Sequence, residues 1–150
     1  MNEEFTYDQS GLDLTESSEG LRLTSYPDPG TGDEPWTIGW GHTGFDVAPN
    51  QTITHEEAVE LLKADMHHAE NAVKRLVTVQ LTQGQYDALV DFAFNCGVGN
   101  LHNSSLLRYV NENRMEEADE EFKKWNKGGG HVLAGLTARR DKEAALFAQG

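Results

Sequence analysis

The 150-residue chain is predicted to be α+β, with a small β-hairpin lobe and a larger helical lobe joined by a long helix and a cleft between the lobes. Three observations predict it. A helix-like stretch stops at Glu19-Gly20. Alternating segments broken by Pro27, Pro29, Gly30, Gly32 and Pro35 run from Leu21 to about Asp46. Beyond Asn50 the apolar residues recur at helical spacing almost to the end. Turn formers punctuate strands and a 3.6-residue period marks helices, so these changes of texture separate the elements. A chain of this size buries roughly 68–70% of its unfolded surface, enough for one domain. The expected layout is an N-terminal lobe over about 12–53, an interlobe helix over about 54–77, and a helical lobe over about 78–150 packed with the first helix.

Each element has its own warrant. The first helix covers about Asp8 to Glu19, with Leu12 and Glu16 one turn apart and Gly20 suited to the residue that ends it. Gly30-Thr31-Gly32-Asp33-Glu34 reads as the hairpin turn. Thr54-His55-Glu56-Glu57 is a capping box, in which Thr54 and Glu57 satisfy each other's backbone donors. Ala58, Leu61, Leu62, Ala69, Val73 and Leu76 continue the helix it opens, and about 20 helical residues span about 30 Å. A second box, Thr82-Gln83-Gly84-Gln85, opens a helix carrying Tyr86, Leu89, Val90, Ala93 and Phe94, ended by Gly97 and Gly99. Asn103 is expected to cap a helix with Leu106, Leu107 and Val110. Arg114 to Trp125 gives another, with Met115, Ala118, Phe122 and Trp125 facing inward. Gly128-Gly129-Gly130 is expected to be a flexible loop, and Leu136 to Phe147 closes the chain.

Composition excludes some functions. Twelve Lys and Arg against 25 Asp and Glu leave a net charge of −13, which repels phosphate backbones and argues against a nucleic-acid partner. The single cysteine, Cys96, stands in the apolar run Phe92-Ala93-Phe94 and is expected to be a small buried hydrophobe. The first 20 residues carry six acids and no Lys or Arg, so they lack the basic start and apolar core of a secretory signal. No window approaches the roughly 20 apolar residues of a membrane span. A monomer made in the cytoplasm without a signal peptide, with no stable membrane insertion, is the expectation. His67 and His68 are adjacent and face different sides of a helix. His67 and Glu70 have ligand spacing, but a wetted helix surface is the expected reading, with no metal and no cofactor.

The residues that suggest chemistry are Glu19-Gly20, Tyr26-Pro27-Asp28 and Thr37-Ile38-Gly39-Trp40-Gly41-His42-Thr43. Glu19 ends a helix, where the partial negative charge of the C-terminus disfavours a carboxylate. Partial burial in a cleft would push the same way, keeping the acid protonated near neutral pH. Asp28, among prolines and glycines, is expected in a wetter setting that keeps it ionised. Two carboxylates in opposite protonation states are what glycoside hydrolysis needs. Thr37 could hold a water, and Gly39 and Gly41 on its face would offer bare backbone to a sugar ring. Ile38 and Trp40 are expected to point into the lobe's core. Asp33 and Glu34, in the same hairpin, are rival second carboxylates.

This stretch resembles the phage-type lysozymes, the endolysin or peptidoglycan muramidase family. Its signature joins a helix-ending Glu-Gly to Tyr-x-Asp and Thr-Ile-Gly-x-Gly-His. The resemblance continues through Leu81-Thr82-Gln83-x-Gln85-Tyr86-Asp87-Ala88-Leu89-Val90-x-Phe92-Ala93-Phe94-Asn95-x-Gly97-Val98-Gly99, then Phe122-x-x-Trp125-Asn126-Lys127 and Gly135-Leu136-x-x-Arg139-Arg140-x-x-Glu143. It covers roughly Leu12 to Phe147. The resemblance implies a lysozyme-like fold and hydrolysis of the β-1,4 bond between N-acetylmuramic acid and N-acetylglucosamine, leading to host cell lysis. Carried over by residue, Glu19 is the general acid, and Asp28 positions or activates the attacking water with help from Thr37. The family is regarded as inverting. Thr43, Phe94 and Asn95 are candidate substrate contacts, although a core Phe and a helix-end Asn compete with that role. Peptidoglycan glycan strands are the implied partner, reached after release through the inner membrane.

Two departures stand out. The hairpin from Asp28 to Thr37 is longer than in the shortest members, Gly30 to Pro35 forming a lip. The chain is also acidic where many members lean basic, a difference that bears on encounter and solubility more than on chemistry. His42 is expected to make a structural hydrogen bond or ion pair. Glu116, Glu117, Asp119, Glu120 and Glu121 are expected to form a wetted helix face. Arg139 and Arg140 are expected to anchor the last helix to acids of the first, one of them approaching Glu19. Two rival functions remain: a lytic transglycosylase, which needs the acid but no water-holding Asp and Thr, and a non-catalytic wall-binding module.

Overall fold

The structure is a computed structural model that describes residues 1–29, 31–44 and 46–150; Gly30, the start of the expected turn and lip, lies outside the described residues. The elements are α1 (Gln9–Glu19), β1 (Arg22–Tyr26), β2 (Thr37–Gly39), β3 (His42–Thr43), α2 (His55–Leu76), α3 (Gln83–Cys96), α4 (Val98–His102), α5 (Ser105–Asn111), α6 (Met115–Phe122), β4 (Lys127–Gly128), β5 (His131–Val132) and α7 (Ala134–Gln149). They form two compact units, one of Glu16–His67 and one of Met1–Thr15 with His68–Gly150, and α1 and α2 each run from one into the other.

The smaller unit is built on the antiparallel sheet β1-β2-β3. Tyr26 lies opposite Thr37 and Arg22 opposite Gly39, with an irregularity between them; Thr37 also faces Thr43, and Ile38 faces His42. The segment 51–53 runs along the outer edge of β1, where Ser25 N–H donates to Gln51 O (2.8 Å) and Ile53 N–H to Leu23 O (2.9 Å). Ile38, Trp40, Val47, Ile53, Ala58, Leu62 and Met66 form its core, with Trp40 edge-on to His55. The capping box predicted for α2 is present: Thr54 N–H donates to Glu57 Oε1 and Glu57 N–H to Thr54 Oγ1, both 3.1 Å. His42 is clamped as expected, Nδ1 2.9 Å from the Asp65 carboxylate and Nε2 2.9 Å from Asp46. Burial pulls its pKa down, but the hydrogen bonds to Asp46 and Asp65 outweigh it and hold the ring above its ordinary value.

In the larger unit α3 is central, buried from Tyr86 through Ala93. Its capping box of Thr82 and Gln85 is formed, and it packs on α7. A side chain at Gly84 would collide with the Leu146 carbonyl, so helix approach here requires glycine. Phe92 meets Phe122 and Trp125 edge-on, and Phe122 meets Phe147.

A buried polar network threads this apolar core. Arg139 donates from Nε and Nη2 to Asp91 at 2.9 and 2.8 Å. Thr15 adds its hydroxyl to Asp91 at 2.6 Å, and Tyr7 lies 2.7 Å from Thr15. Arg140 donates to Asn95 Oδ1 at 2.6 Å and to Glu143 at 3.1 Å, and its Nη1 touches Cys96 Sγ. Burial disfavours charge on Asp91, yet the Arg139 guanidinium holds it below the usual carboxylate range. Burial and the hydrogen bond to Asp91 push Glu143 well up, so it carries the proton between them.

Several expectations need correction. The helix 105–111 is capped by Ser104, whose hydroxyl accepts the Leu107 N–H (3.0 Å), because Ser104 is extended (φ −83°, ψ 152°). Asn103 instead ends the short, unforeseen α4. Gly128-Gly129-Gly130 is no loose loop. β4 and β5 pair across Gly129 (φ 59°) and Gly130 (φ 83°), a two-residue turn whose two positive φ angles suit glycine. α6 stops at Phe122, leaving Trp125 outside it, and Glu121 is buried beside its ion-pair partner Lys124. Arg139 is gripped by Asp91 of α3, an acid the sequence did not single out. Cys96 is half-buried against a guanidinium rather than packed as a plain hydrophobe, and burial pushes its thiol up.

Asp87, buried and hydrogen-bonded by Asp8 and Gln83, has its carboxyl pushed up to about 8, chiefly by burial and then by Asp8. A folded value above the unfolded one (about 3.9) contributes stability at low pH that is lost as pH rises through the folded value. Urea unfolding at pH 5, 7 and 9 is therefore expected to show Asp87→Asn gaining on wild type up to about pH 8 and levelling off beyond. His42→Gln should lose most relative to wild type below about pH 6.5, and the gap should narrow as pH rises through the raised His42 pKa. A gap independent of pH would contradict the ion-pair reading.

Candidate active site

Glu19 is the last residue of α1, half-buried. Gly20 turns the chain with φ +73° while its N–H donates to Glu16 O (3.2 Å), the helix-stop geometry the sequence predicted. The Glu19 side chain then lies over Gly41, in the link between β2 and β3. A Cβ at Gly41 would sit 2.8 Å from Glu19 Oε1, and φ there is +81°. Glycine is thus required twice, for the backbone conformation and for the space the carboxylate fills.

Thr37 opens β2, paired to Tyr26 on one side and Thr43 on the other. Asp28 follows two residues after Tyr26 and organises the turn. Its Oδ2 accepts the Thr31 N–H (3.1 Å), its own N–H donates to Asp33 O (2.9 Å), and its carbonyl accepts the Gly32 N–H (2.7 Å). Asp28 and Thr37 are half-buried; Thr43, Asp33 and Glu34 are exposed. The two rival acids sit at the turn, where Thr31 Oγ1 accepts the Asp33 N–H and donates to Glu34 O.

Glu19, Asp28, Thr37 and Thr43 all belong to the smaller unit, with Thr37 and Thr43 paired across neighbouring strands. Phe94 and Asn95 belong to the other unit, half-buried near the end of α3, where Asn95 is held by Arg140. The reading of Gly39 as open backbone for a sugar is corrected: it is buried, its φ is positive, and it faces Ala58 and Ile53 in the core. Gly41, half-buried and also of positive φ, faces the Glu19 carboxylate. Ile38 and Trp40 are buried as expected.

A cavity of about 440 Å³ in this unit, lined by Ile38, Val47, Ile53 and Leu61 under an acidic rim, includes none of the six predicted site residues. Another, of about 380 Å³, includes Thr43 together with Trp36. Trp36 was passed over in the sequence, although an aromatic side chain immediately before Thr37 and after Pro35 was the available signal. Among the described residues, no three His, Cys, Asp or Glu side chains converge to hold a metal ion, and no helix is long and apolar enough to cross a membrane. The chemistry on offer is that of carboxyl and hydroxyl groups: proton donation, and hydrogen bonds to water or sugar.

Residues 16–143 match the family model described as phage lysozyme. The chain is 46% identical over 142 residues to an endolysin of Bacillus phage B103, covering 95% of this chain and 54% of that protein. It is 40% identical over 142 residues to an endolysin of Salmonella phage P22, covering 92% and 94%. The chain spans about half the length of the Bacillus phage relatives it matches. Among solved structures, the muramidase domain of SpmX from Asticaccaulis excentricus superposes with a TM-score of 0.88 at 39% identity, covering 96% of this chain and 98% of that one. With its helix-ending glutamate, its strand-borne threonine and a match along most of its length, the chain belongs to the phage lysozyme family and has a lysozyme-like α+β fold.

Proposed function

We propose that this chain is a muramidase that hydrolyses the β-1,4 bond between N-acetylmuramic acid and N-acetylglucosamine in bacterial peptidoglycan, as an endolysin acting on the wall after release through the inner membrane. Glu19 donates a proton to the bridging oxygen. Asp28 and Thr37 hold the water that attacks the anomeric carbon, Asp28 taking its proton. Thr43, Phe94 and Asn95 contact the glycan. In this reading residues of about 12–53 form the N-terminal lobe, about 54–77 the interlobe helix and about 78–150 the helical lobe, and the protein works as a monomer.

One observation carries the reading. In a chain of this family, the carboxylate that ends α1 lies over a glycine two residues beyond the β2 strand on which Thr37 stands. Support also comes from relatives titled endolysin and from a structural neighbour titled a muramidase domain. Removing a general acid typically costs 10²–10⁴ in rate.

Clearing of permeabilised Gram-negative cells is expected to fall by at least about 10² for Glu19→Gln and by about 10² for Asp28→Asn, both variants remaining folded. Clearing by Glu19→Gln at the wild-type rate would end the reading. Gly41→Ala is expected to lose activity and about 1–3 kcal/mol of stability, since it meets both backbone strain and the Glu19 carboxylate. Clearing rates and urea melts of that variant check both effects.

A further inference from the structure

We propose that the cavity of about 440 Å³ in the smaller unit docks a partner protein through a basic amphipathic segment. The segment's aliphatic side chains enter the cavity while its Lys or Arg residues meet the rim. All the lining residues lie within Glu16–His67. The floor is aliphatic, made by Ile38, Val47, Ile53 and Leu61. Around it stand Asp46, Glu56, Glu57 and Glu60, and among the described lining residues there is no Lys or Arg. Ligand pockets run to roughly 300–1,000 Å³. This one lies toward the lower end, a size that suits a few aliphatic side chains anchoring a longer segment.

Strand register separates this surface from the proposed catalytic residues. Ile38 and His42 are cross-strand partners and both line the cavity, whereas Thr37 is paired with Thr43. Successive residues of a strand point to opposite faces, so the cavity lies on the face of the sheet away from Thr37. The proposal therefore does not rest on the muramidase reading. Charge names the occupant. His42 stands on the rim, but its ring is already held at 2.9 Å by Asp65 and at 2.9 Å by Asp46. Glu57 closes the capping box of α2, and Glu56, in the first turn, meets the positive end of the helix dipole. Glu60 is exposed one turn further on, and its carboxylate has no hydrogen-bond or ion-pair partner among the described residues. An anionic or wholly apolar partner would leave this ring of carboxylates repelled or unpaired. A basic segment with one aliphatic face matches both the rim and the floor.

The test uses the full chain and, as probe, a fluorescein-labelled synthetic peptide of Leu-Leu-Lys-Lys repeats. Anisotropy gives the affinity, and the methyl resonances of Ile38, Ile53 and Leu61 give the place. Those methyls should shift, and binding should weaken as salt rises. Glu56→Gln combined with Glu60→Gln should weaken binding about three- to tenfold. Glu116→Gln combined with Glu120→Gln, on the exposed face of α6, changes the net charge equally and should keep affinity within about twofold of wild type. A lysine-only peptide of the same charge should bind at least about tenfold more weakly, since it brings nothing apolar to bury. Leu61→Arg, which sets a cation of the chain's own at the cavity, should abolish binding in a protein whose circular dichroism shows it folded. No binding, no methyl shift at the cavity, equal weakening by the two glutamine pairs, or equal binding of the lysine-only peptide would overturn the proposal. So would shifts that appear with rising protein concentration alone, which would assign the cavity to a second copy of the chain.

Discussion

The small unit is organised around one close approach, the Glu19 carboxylate against the bare backbone of Gly41. The sequence supplies both halves: a glutamate at the last position of α1, followed by a glycine that can turn the chain with φ +73°, and a Gly-x-Gly step whose second glycine has φ +81° and no side chain. Any larger residue at position 41 would push the acid away. The strand irregularity between Arg22 and Tyr26, the pairing of Tyr26 with Thr37 and the pairing of Thr37 with Thr43 then set which polar groups share that neighbourhood. The surroundings of the proposed general acid are thus specified by backbone geometry, and the side chains are carried to their places by it.

A different device orders the larger unit. Two arginines and two acids meet there in one buried network, Arg139 at 4%, Arg140 at 0%, Glu143 at 0% and Asp91 at 0% exposure. Burying ions is costly, and an apolar cluster of the same volume would often be as stable. What the network adds is geometry. Arg139 grips Asp91 with two nitrogens, so α7 can meet α3 in one register, and Arg140 fixes Asn95 at the end of α3. Glu143 relieves the crowding of negative charge by keeping its proton next to Asp91. In a chain of net charge −13, the few cations spent inside are those that hold the most buried acid.

Much of this was legible in the sequence because it is local. Capping boxes at Thr54 and Thr82 and the glycine after Glu19 act within four residues, and each formed as read. What failed was set by partners distant in sequence or by competition between neighbours. Asn103 and Ser104 are both good caps; the extended backbone at 104 decided for serine. Three consecutive glycines suggest looseness, yet β4 and β5 pair across two of them. A period-two reading put Gly39 on the face of Thr37, and positive φ turned it into the core against Ala58. That Arg139 would meet Asp91, 48 residues away on α3, is beyond any local pattern. The six site residues were picked through motif resemblance, and their local spacing alone would not have separated Asp28 from Asp33 or Glu34.

The central claim is that water attacks the glycan while Glu19 gives up its proton. Digestion of purified peptidoglycan in oxygen-18 water, with the products weighed by mass spectrometry, tests it most directly. The account predicts reducing N-acetylmuramic acid ends that each carry one oxygen from the solvent with the wild-type protein, and almost none of them with Glu19→Gln. Anhydro ends without solvent oxygen, or the same labelled products from both proteins, would contradict it.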